Sequence, residues 1–157
     1  MGAKEFDYYI FIDYSKDYLG YLIIGKDKIK ELLPKISKFA HYRELKHKKA
    51  YLNSIKKIVV KNNICSYFCK VKIKKTEATP EIYADILDFL KKYDNCLVFI
   101  CVDDKQFRNF NKIVHLIDGK NTKVIRESEL KKHTFEYKIN LVLDTLLNLA
   151  RMKNDKF

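Results

Sequence analysis

The chain has 157 residues, the length of one ordinary domain, and 47% of them are hydrophobic, which is enough for a buried core. Four glycines and two prolines leave little room for long linkers, and no apolar run approaches the roughly 20 residues that span a bilayer. The first residues also lack the apolar segment of a secretory signal. We therefore expect a single domain over residues 1–157, located in the cytoplasm and not associated with a membrane.

The net charge of +12 is concentrated in one third of the chain. Residues 26–75 contain 16 basic and three acidic residues, a net charge of +13, whereas the rest of the chain is close to neutral. A basic block of this kind is typical of a surface that binds a polyanion, because neutralised phosphates release counterions. A lysine-rich surface that merely faces solvent explains the same count, so both interpretations stay open at this point.

The first half of the chain is predicted to contain three strands and two helices. Alternating apolar and aromatic residues predict the strands, which cover residues 6–13, 18–24 and 64–73. Apolar residues at helical spacing predict a helix from Ile29 to Phe39 that breaks at Pro34. The same spacing predicts a second helix from about Glu44 to Lys61.

In the second half, predicted helices alternate with predicted strands. Thr79-Pro80-Glu81 is a typical helix start and predicts a helix to about Tyr93. The uninterrupted apolar run 96–102 predicts a central strand that is covered on both faces. The remaining predicted elements are a helix over 107–117, a short strand over 123–125 and a helix over 134–152. This order predicts an α/β domain with a mixed sheet, antiparallel at its start and joined by crossovers later.

The four cysteines are not spaced as a disulfide framework or as a zinc site. Cys65 and Cys69 fall in a predicted strand, where residues four apart lie about 13 Å from each other. That separation is too large for one metal ion. Cys96 and Cys101 bracket another predicted strand and point to opposite faces of it. We expect buried, reduced thiols.

Two acidic residues stand where predicted strands end. Asp13 closes the first strand, and Asp103 follows the central apolar strand directly. The carboxyl ends of strands are where open α/β sheets usually bind ligands, and carboxylates there can hold a divalent cation. A turn residue and a helix cap explain the same two acids equally well.

Two other acids are candidates on predicted helices. Glu44 is surrounded by basic residues, and a salt bridge to Lys48 at i+4 explains it adequately. Asp144 belongs to a narrow polar stripe with Asn148 and Arg151 on a helix that is otherwise apolar. Most such stripes face water, but one this narrow can also line a cleft.

Four short motifs occur in the order in which one superfamily carries them. They are Ile10-Phe11-Ile12-Asp13, Arg43-Glu44-Leu45-Lys46, Phe99-Ile100-Cys101-Val102-Asp103 and Leu141-Val142-Leu143-Asp144-Thr145-Leu146-Leu147. The set resembles the ribonuclease H-like superfamily, and is most similar to a family whose first strand reads roughly F-I-D-E-S-G. Tyr14-Ser15-Lys16 stands where that family has E-S-G. The resemblance implies a three-layer α/β domain, with a mixed sheet flanked by helices.

The resemblance also implies a nuclease that uses Mg²⁺ or Mn²⁺ to hydrolyse the phosphodiester bonds of DNA or RNA. Its catalytic and metal-binding residues would be Asp13, Glu44, Asp103 and Asp144, and their carboxylates should converge on one site. The basic residues that would hold the nucleic-acid backbone are Arg43, Lys46, Lys48, Lys49, Lys56, Lys57, Lys70, Lys72 and Lys74.

Other functions remain open at this stage. One is a catalytically inactive nucleic-acid-binding or assembly protein with the same fold and the same basic surface. Another is a nuclease of the restriction-endonuclease kind, which would use Glu44-Leu45-Lys46 as an E-x-K element and would need that tripeptide on a strand. A kinase-like phosphotransferase is disfavoured, because four glycines provide no glycine-rich phosphate loop. A homodimer is left open.

Overall fold

The computed structural model describes residues 6–101, 104–117, 122–126 and 129–154. Its strands are β1 (Tyr8–Ser15), β2 (Tyr18–Gly25), β3 (Lys70–Lys75), β4 (Cys96–Ile100) and β5 (Lys123–Arg126). They form one sheet in the order β3-β2-β1-β4-β5. β2 is antiparallel to both of its neighbours, β1 and β3, whereas β1, β4 and β5 run parallel. The sheet is therefore mixed, with its hairpin part on one side and its crossover part on the other.

Five α-helices cover the two faces of this sheet. They are α1 (Lys26–Leu32), α2 (Lys48–Lys61), α3 (Thr79–Lys92), α4 (Asp104–Ile117) and α5 (Phe135–Asn154). Helices α1, α2 and α5 pack on the face that contains Phe11 and Leu22, and α3 and α4 pack on the face that contains Ile10 and Tyr21. Within the described ranges, no helix combines the length and apolar character needed to cross a membrane.

This architecture confirms the predicted three-layer α/β domain, in which helices flank both faces of a mixed sheet. The strand alternation explains why the sheet has two cores, because successive side chains of β1 and β2 enter opposite layers. β4 is buried along its whole length, as its uninterrupted apolar sequence predicts. The break at Pro34 is also confirmed, since α1 ends at Leu32 and a 3₁₀ turn covers Leu33–Ile36.

The predicted helix from Glu44 to Lys61 begins four residues too early. Tyr42–Glu44 form a 3₁₀ turn, Leu45 is extended with φ −85° and ψ 142°, and α2 begins at Lys48. An extended residue cannot continue a helix, so the turn and α2 are separate elements. The Glu44-Leu45-Lys46 tripeptide therefore leads from the end of the 3₁₀ turn toward α2 without forming a strand, and the restriction-endonuclease alternative lacks the strand that it needs.

The predicted strand over 64–73 is wrong in its first half. Asn63 takes a left-handed φ of 51° at the end of α2, and Ile64–Tyr67 then form a 3₁₀ turn with Ile64 buried in the core. Pairing with β2 starts where the Cys69 N–H donates to the Ile23 carbonyl oxygen at 2.7 Å. Cys65 therefore lies on a turn rather than a strand.

The expectation of buried thiols holds for one of the four cysteines. Cys65 and Cys69 are exposed, Cys101 is half-buried and Cys96 is buried. The apolar anchor of the segment before β3 is Ile64, which leaves the neighbouring Cys65 facing outward. Cys96 begins the central strand β4, and this position accounts for its burial.

Candidate functional site

An open cleft of ≈ 670 Å³ lies where β1 and β4 end. It is surrounded by the end of β1, by the 3₁₀ turn before α2 and by the C-terminal half of α5. Its lining residues are Asp13, Tyr14, Ser15, Lys16, His41, Tyr42, Arg43, Lys48, Cys101, Asp144, Asn148 and Arg151. Two of the four acids predicted for the site, Asp13 and Asp144, are thus brought to one cleft.

Asp13 is held in the floor of the cleft by the strand register. It is 5% exposed, and period-two alternation places it on the same face as Phe11, toward α5. One of its carboxylate oxygens, Oδ1, accepts a hydrogen bond from the Tyr14 N–H at 2.8 Å. The Cys101 N–H donates to the Ile12 carbonyl oxygen at 3.0 Å, so the end of β4 lies beside Asp13. Adjacent parallel strands that end together are a common ligand-binding position.

Asp144 reaches the same cleft from α5. Its Oδ2 accepts a hydrogen bond from the Tyr42 N–H at 2.9 Å, which ties the helix to the turn before α2. One helical turn later, the side-chain amide of Asn148 donates to the Asp144 backbone carbonyl at 2.8 Å. The polar stripe predicted on the last helix therefore lines a cleft through Asp144, Asn148 and Arg151.

A hydrogen-bonded chain joins α5 to the end of β1. The Ser15 hydroxyl donates to Asn148 Oδ1 at 3.2 Å and accepts from Arg151 Nη1 at 3.1 Å. The Arg151 guanidinium carbon and the Lys48 Nζ each lie 5.6 Å from the centroid of the Tyr42 ring. Cations at this distance are attracted to an aromatic ring, so Tyr42 helps to position both.

Four cations of the cleft have no acidic partner among the described residues: Lys16, Arg43, Lys48 and Arg151. Two carboxylates therefore share the cleft with twice as many cations. Such a site attracts an anionic ligand while keeping acidic oxygen atoms at its floor.

Lys16 occupies a conformation that suits glycine. Its φ is 51°, in the left-handed region that side chains other than those of Gly, Asn and Asp rarely adopt. The result is a cation at the edge of the cleft, placed there by a strained turn.

Glu44 does not line the cleft. Its side chain is exposed, and its carboxylate lies 3.7 Å from Lys132 Nζ rather than pairing with Lys48 as the simplest sequence interpretation suggests. Asp103 lies outside the described residues. Among the residues that the structure describes, no group of three or more His, Cys, Asp or Glu side chains is arranged to hold a metal ion. The expected convergence of four acids is thus limited here to Asp13 and Asp144.

The predicted basic surface is divided between the two faces of the sheet. Arg43 and Lys48 line the cleft. Exposed positions on the same side, on α2 or just before it, are taken by Lys46, Lys49, Lys56 and Lys57. In β3, Val71 and Ile73 pack toward α2 and α5, so the alternating lysines face α3 instead. These lysines are Lys70, Lys72 and Lys74.

Lys72 is engaged by acids of α3. Its Nζ lies 2.7 Å from Asp85 Oδ2 and 3.4 Å from Glu81 Oε2. The Tyr21 hydroxyl donates to the same Asp85 oxygen at 3.1 Å. The hydrogen bond to Asp85 raises the pKa of Lys72, and the same bond lowers the pKa of Asp85. We name Lys72, Asp85, Glu81 and Tyr21 the α3-face cluster.

Sequence reasoning missed several cleft residues. Ser15 could have been found from the alternation of β1, since it shares a face with Asp13 two residues earlier. Tyr42 could not, because its role depends on a contact with Asp144, 102 residues away in the sequence. His41 also lines the cleft, and its buried Nδ1 has no hydrogen-bond partner among the described residues.

Comparison with known proteins adds a weak similarity to a solved structure. No family model and no curated protein matches the chain. Among solved structures, it is similar to RNase HII of Archaeoglobus fulgidus, solved in complex with PCNA, with a TM-score of 0.45 and 10% sequence identity. The alignment covers 95% of this chain and 73% of that one. The interpretation of the cleft therefore depends on its own residues.

Proposed function

We propose that the protein is a metal-dependent nuclease that hydrolyses phosphodiester bonds of DNA or RNA in this cleft. One observation carries the proposal: carboxylates from β1 and α5 lie in a cleft whose cations have no acidic partner among the described residues. Cations without acidic partners can contact the phosphates of a substrate, and the carboxylates supply the oxygen ligands that a divalent cation needs.

The acids of the cleft fit one hydrated ion better than a fully protein-ligated cluster. Mg²⁺ is commonly held by one or two carboxylates, with water and substrate phosphate as its other ligands. Asp13 and Asp144 would hold it, and the backbone N–H groups of Tyr14 and Tyr42 fix the orientation of their carboxylates. A bound ion would supply Lewis acidity toward the phosphoryl oxygen and would lower the pKa of an attacking water. Glu44 and Asp103 stay predictions as further ligands.

Residues of the cleft would position the substrate phosphates beside the carboxylates. Asp13 is 5% exposed in the floor of the cleft, and such burial strengthens electrostatic interactions of its carboxylate. Arg43 and Lys48 would contact substrate phosphates beside the carboxylates, without reading sequence. Tyr42 would contribute both to metal binding and to phosphate contact, because its amide orients Asp144 and its ring positions Lys48.

A second candidate function is binding of nucleic acid without cleavage. It is favoured by the position of Glu44 outside the cleft and by the absence, among the described residues, of a group of three metal-ligating side chains. This candidate predicts salt-sensitive binding that neither needs nor responds to a divalent metal.

Cleavage assays on the full chain test the proposal. Labelled single- and double-stranded DNA and RNA are incubated with Mg²⁺, Mn²⁺ or EDTA, using wild type and Asp13→Asn. We expect metal-dependent cleavage that Asp13→Asn lowers at least about 100-fold, because the metal loses a charged ligand. Asp85→Asn, the same chemical change in the α3-face cluster, is the matched control and keeps cleavage.

Two results would contradict the proposal. Undiminished cleavage by Asp13→Asn would show that this carboxylate has no part in the reaction. Binding by wild type that is independent of metal, with no cleavage of any of the four substrates, would favour the second candidate function.

A further inference from the structure

Arg151 lies at one side of the cleft, fixed by neighbours that carry no negative charge. We infer that it is the receptor for a phosphate next to the one that is cleaved, with Ser15 and Asn148 as its positioning residues. This inference rests on the proposed function and deepens it, because it makes the substrate an oligonucleotide chain rather than a single phosphate ester.

The first argument is the hydrogen-bond capacity of the guanidinium. An arginine carries five N–H donors in a planar fork that matches two phosphate oxygens. Among the described residues, Arg151 uses one donor, from Nη1 to the Ser15 hydroxyl at 3.1 Å, and it has no acidic partner. Most of the fork therefore remains available for an anion.

The second argument is that the orientation of the guanidinium is set before a ligand binds. The Ser15 hydroxyl donates its own proton to Asn148 Oδ1 at 3.2 Å, so its oxygen faces Arg151 as an acceptor. Asn148 is fixed in turn by its bond to the Asp144 carbonyl at 2.8 Å. The Tyr42 ring supports the guanidinium with a centroid distance of 5.6 Å. A side chain held in this way loses little entropy on binding.

The third argument is the distance from the carboxylates. Ser15 follows Asp13 by two residues on the same face of β1, a rise of about 7 Å along the strand. Arg151 follows Asp144 by seven residues, two turns along α5 or about 10 Å. The backbone positions that carry the receptor are thus displaced by about 7–10 Å from those that carry the carboxylates, which suits a flanking phosphate rather than the scissile one.

The experiment compares a long and a short substrate. The ratio of kcat/KM for a single-stranded oligonucleotide to that for bis(p-nitrophenyl) phosphate is measured for wild type, Arg151→Lys and Ser15→Ala. We expect Arg151→Lys to lower this ratio about tenfold, because the point charge of a lysine ammonium does not replace the bidentate contact of a guanidinium with a phosphate. Ser15→Ala should lower it about threefold, since the guanidinium keeps its charge but loses its orientation. Lys153→Gln, a charge removed from the exposed last turn of α5, is the control.

A binding measurement separates this inference from the proposed nuclease activity. In EDTA, oligonucleotide affinity is measured against salt concentration, and Arg151→Gln should reduce the slope of log K against log salt by about 0.7. If wild type cleaves neither substrate, the nuclease proposal fails while a reduced slope still supports the receptor. An unchanged slope, or an equal loss on both substrates with an unchanged ratio, would overturn the receptor.

Discussion

The cleft and the α3-face cluster lie on opposite sides of one sheet. They differ in whether their cations are paired with acidic residues. In the α3-face cluster, Lys72 is bonded to Asp85 and lies within ion-pair distance of Glu81. In the cleft, Lys48 and Arg43 have no acidic partner among the described residues. Both groups come from the same basic third of the sequence. Net charge alone therefore does not distinguish the two regions, whereas the presence or absence of acidic partners among the described residues does.

The charges of the two regions are also expected to contribute to different quantities, namely the stability of the folded state and the affinity for a ligand. Lys72 and Asp85 each stabilise the charged form of the other, so their contribution is to the folded state. The cations of the cleft have no acidic partner among the described residues, so under the proposed function their contribution would be to binding. Replacing one lysine from each region should separate these two contributions.

Of the changes that compare these two regions, Lys48→Gln should have the largest effect, on nucleic-acid binding. We expect it to weaken the affinity of a single-stranded oligonucleotide several-fold and to reduce the salt slope by about 0.7, because one phosphate contact is lost. Lys72→Gln removes the same charge from the α3-face cluster and should leave the slope unchanged. Fluorescence anisotropy in EDTA at several salt concentrations measures both. Equal slopes for the two variants would break the distinction between the regions.

The next effect is on stability in acid, from Asp85→Asn. The hydrogen bond from Lys72 lowers the folded-state pKa of Asp85 below the ordinary value of 3.8. Its stabilising contribution is therefore complete above pH 3.8 and is lost as the pH falls through the folded-state pKa. Wild type should lose part of its free energy of unfolding in that window, and Asp85→Asn should lose less of it. Urea unfolding between pH 2.5 and pH 5 measures this, and parallel pH profiles would contradict it.

The smallest effect is expected from Lys16→Gly. Glycine adopts the left-handed φ of 51° without a steric penalty, so we expect the free energy of unfolding to rise by about 1 kcal/mol. The same change removes a cation from the cleft and should weaken oligonucleotide binding a few-fold. A higher free energy of unfolding together with a lower oligonucleotide affinity would show that the strained conformation of Lys16 lowers stability while its charge favours binding. Lys16→Ala, which keeps the strain, is the control for the lost charge.

Much of the fold could be predicted because it depends on local pattern. The alternation of β1 and the apolar run of β4 indicate one strand between two cores and another buried on both faces, and the structure confirms both. The segment before β3 could not be predicted in the same way. Its 3₁₀ turn depends on the left-handed conformation of Asn63 and on the burial of Ile64, and neither produces a periodic signal.

The cleft was predictable only in part, for a related reason. Asp13 and Asp144 were found from strand ends and a helix stripe, which are local features. The partners of Glu44 and Lys72 are set by tertiary contacts with Lys132 and Asp85, which no spacing in the sequence specifies. A role for Asp103, a homodimer and a cytoplasmic location stay predictions.

The hydrogen bond from the Tyr42 amide to Asp144 has a consequence for synthesis on the ribosome. β1 and the turn at Tyr42 leave the ribosome before α5, which follows roughly 90 residues after that turn. At about 5–20 residues per second, several seconds pass before Asp144 and Arg151 can join Asp13. During that interval the sheet face that α5 covers, including Phe11, lacks this cover. The nascent protein therefore completes the core on this face of the sheet and the cleft in the same late step.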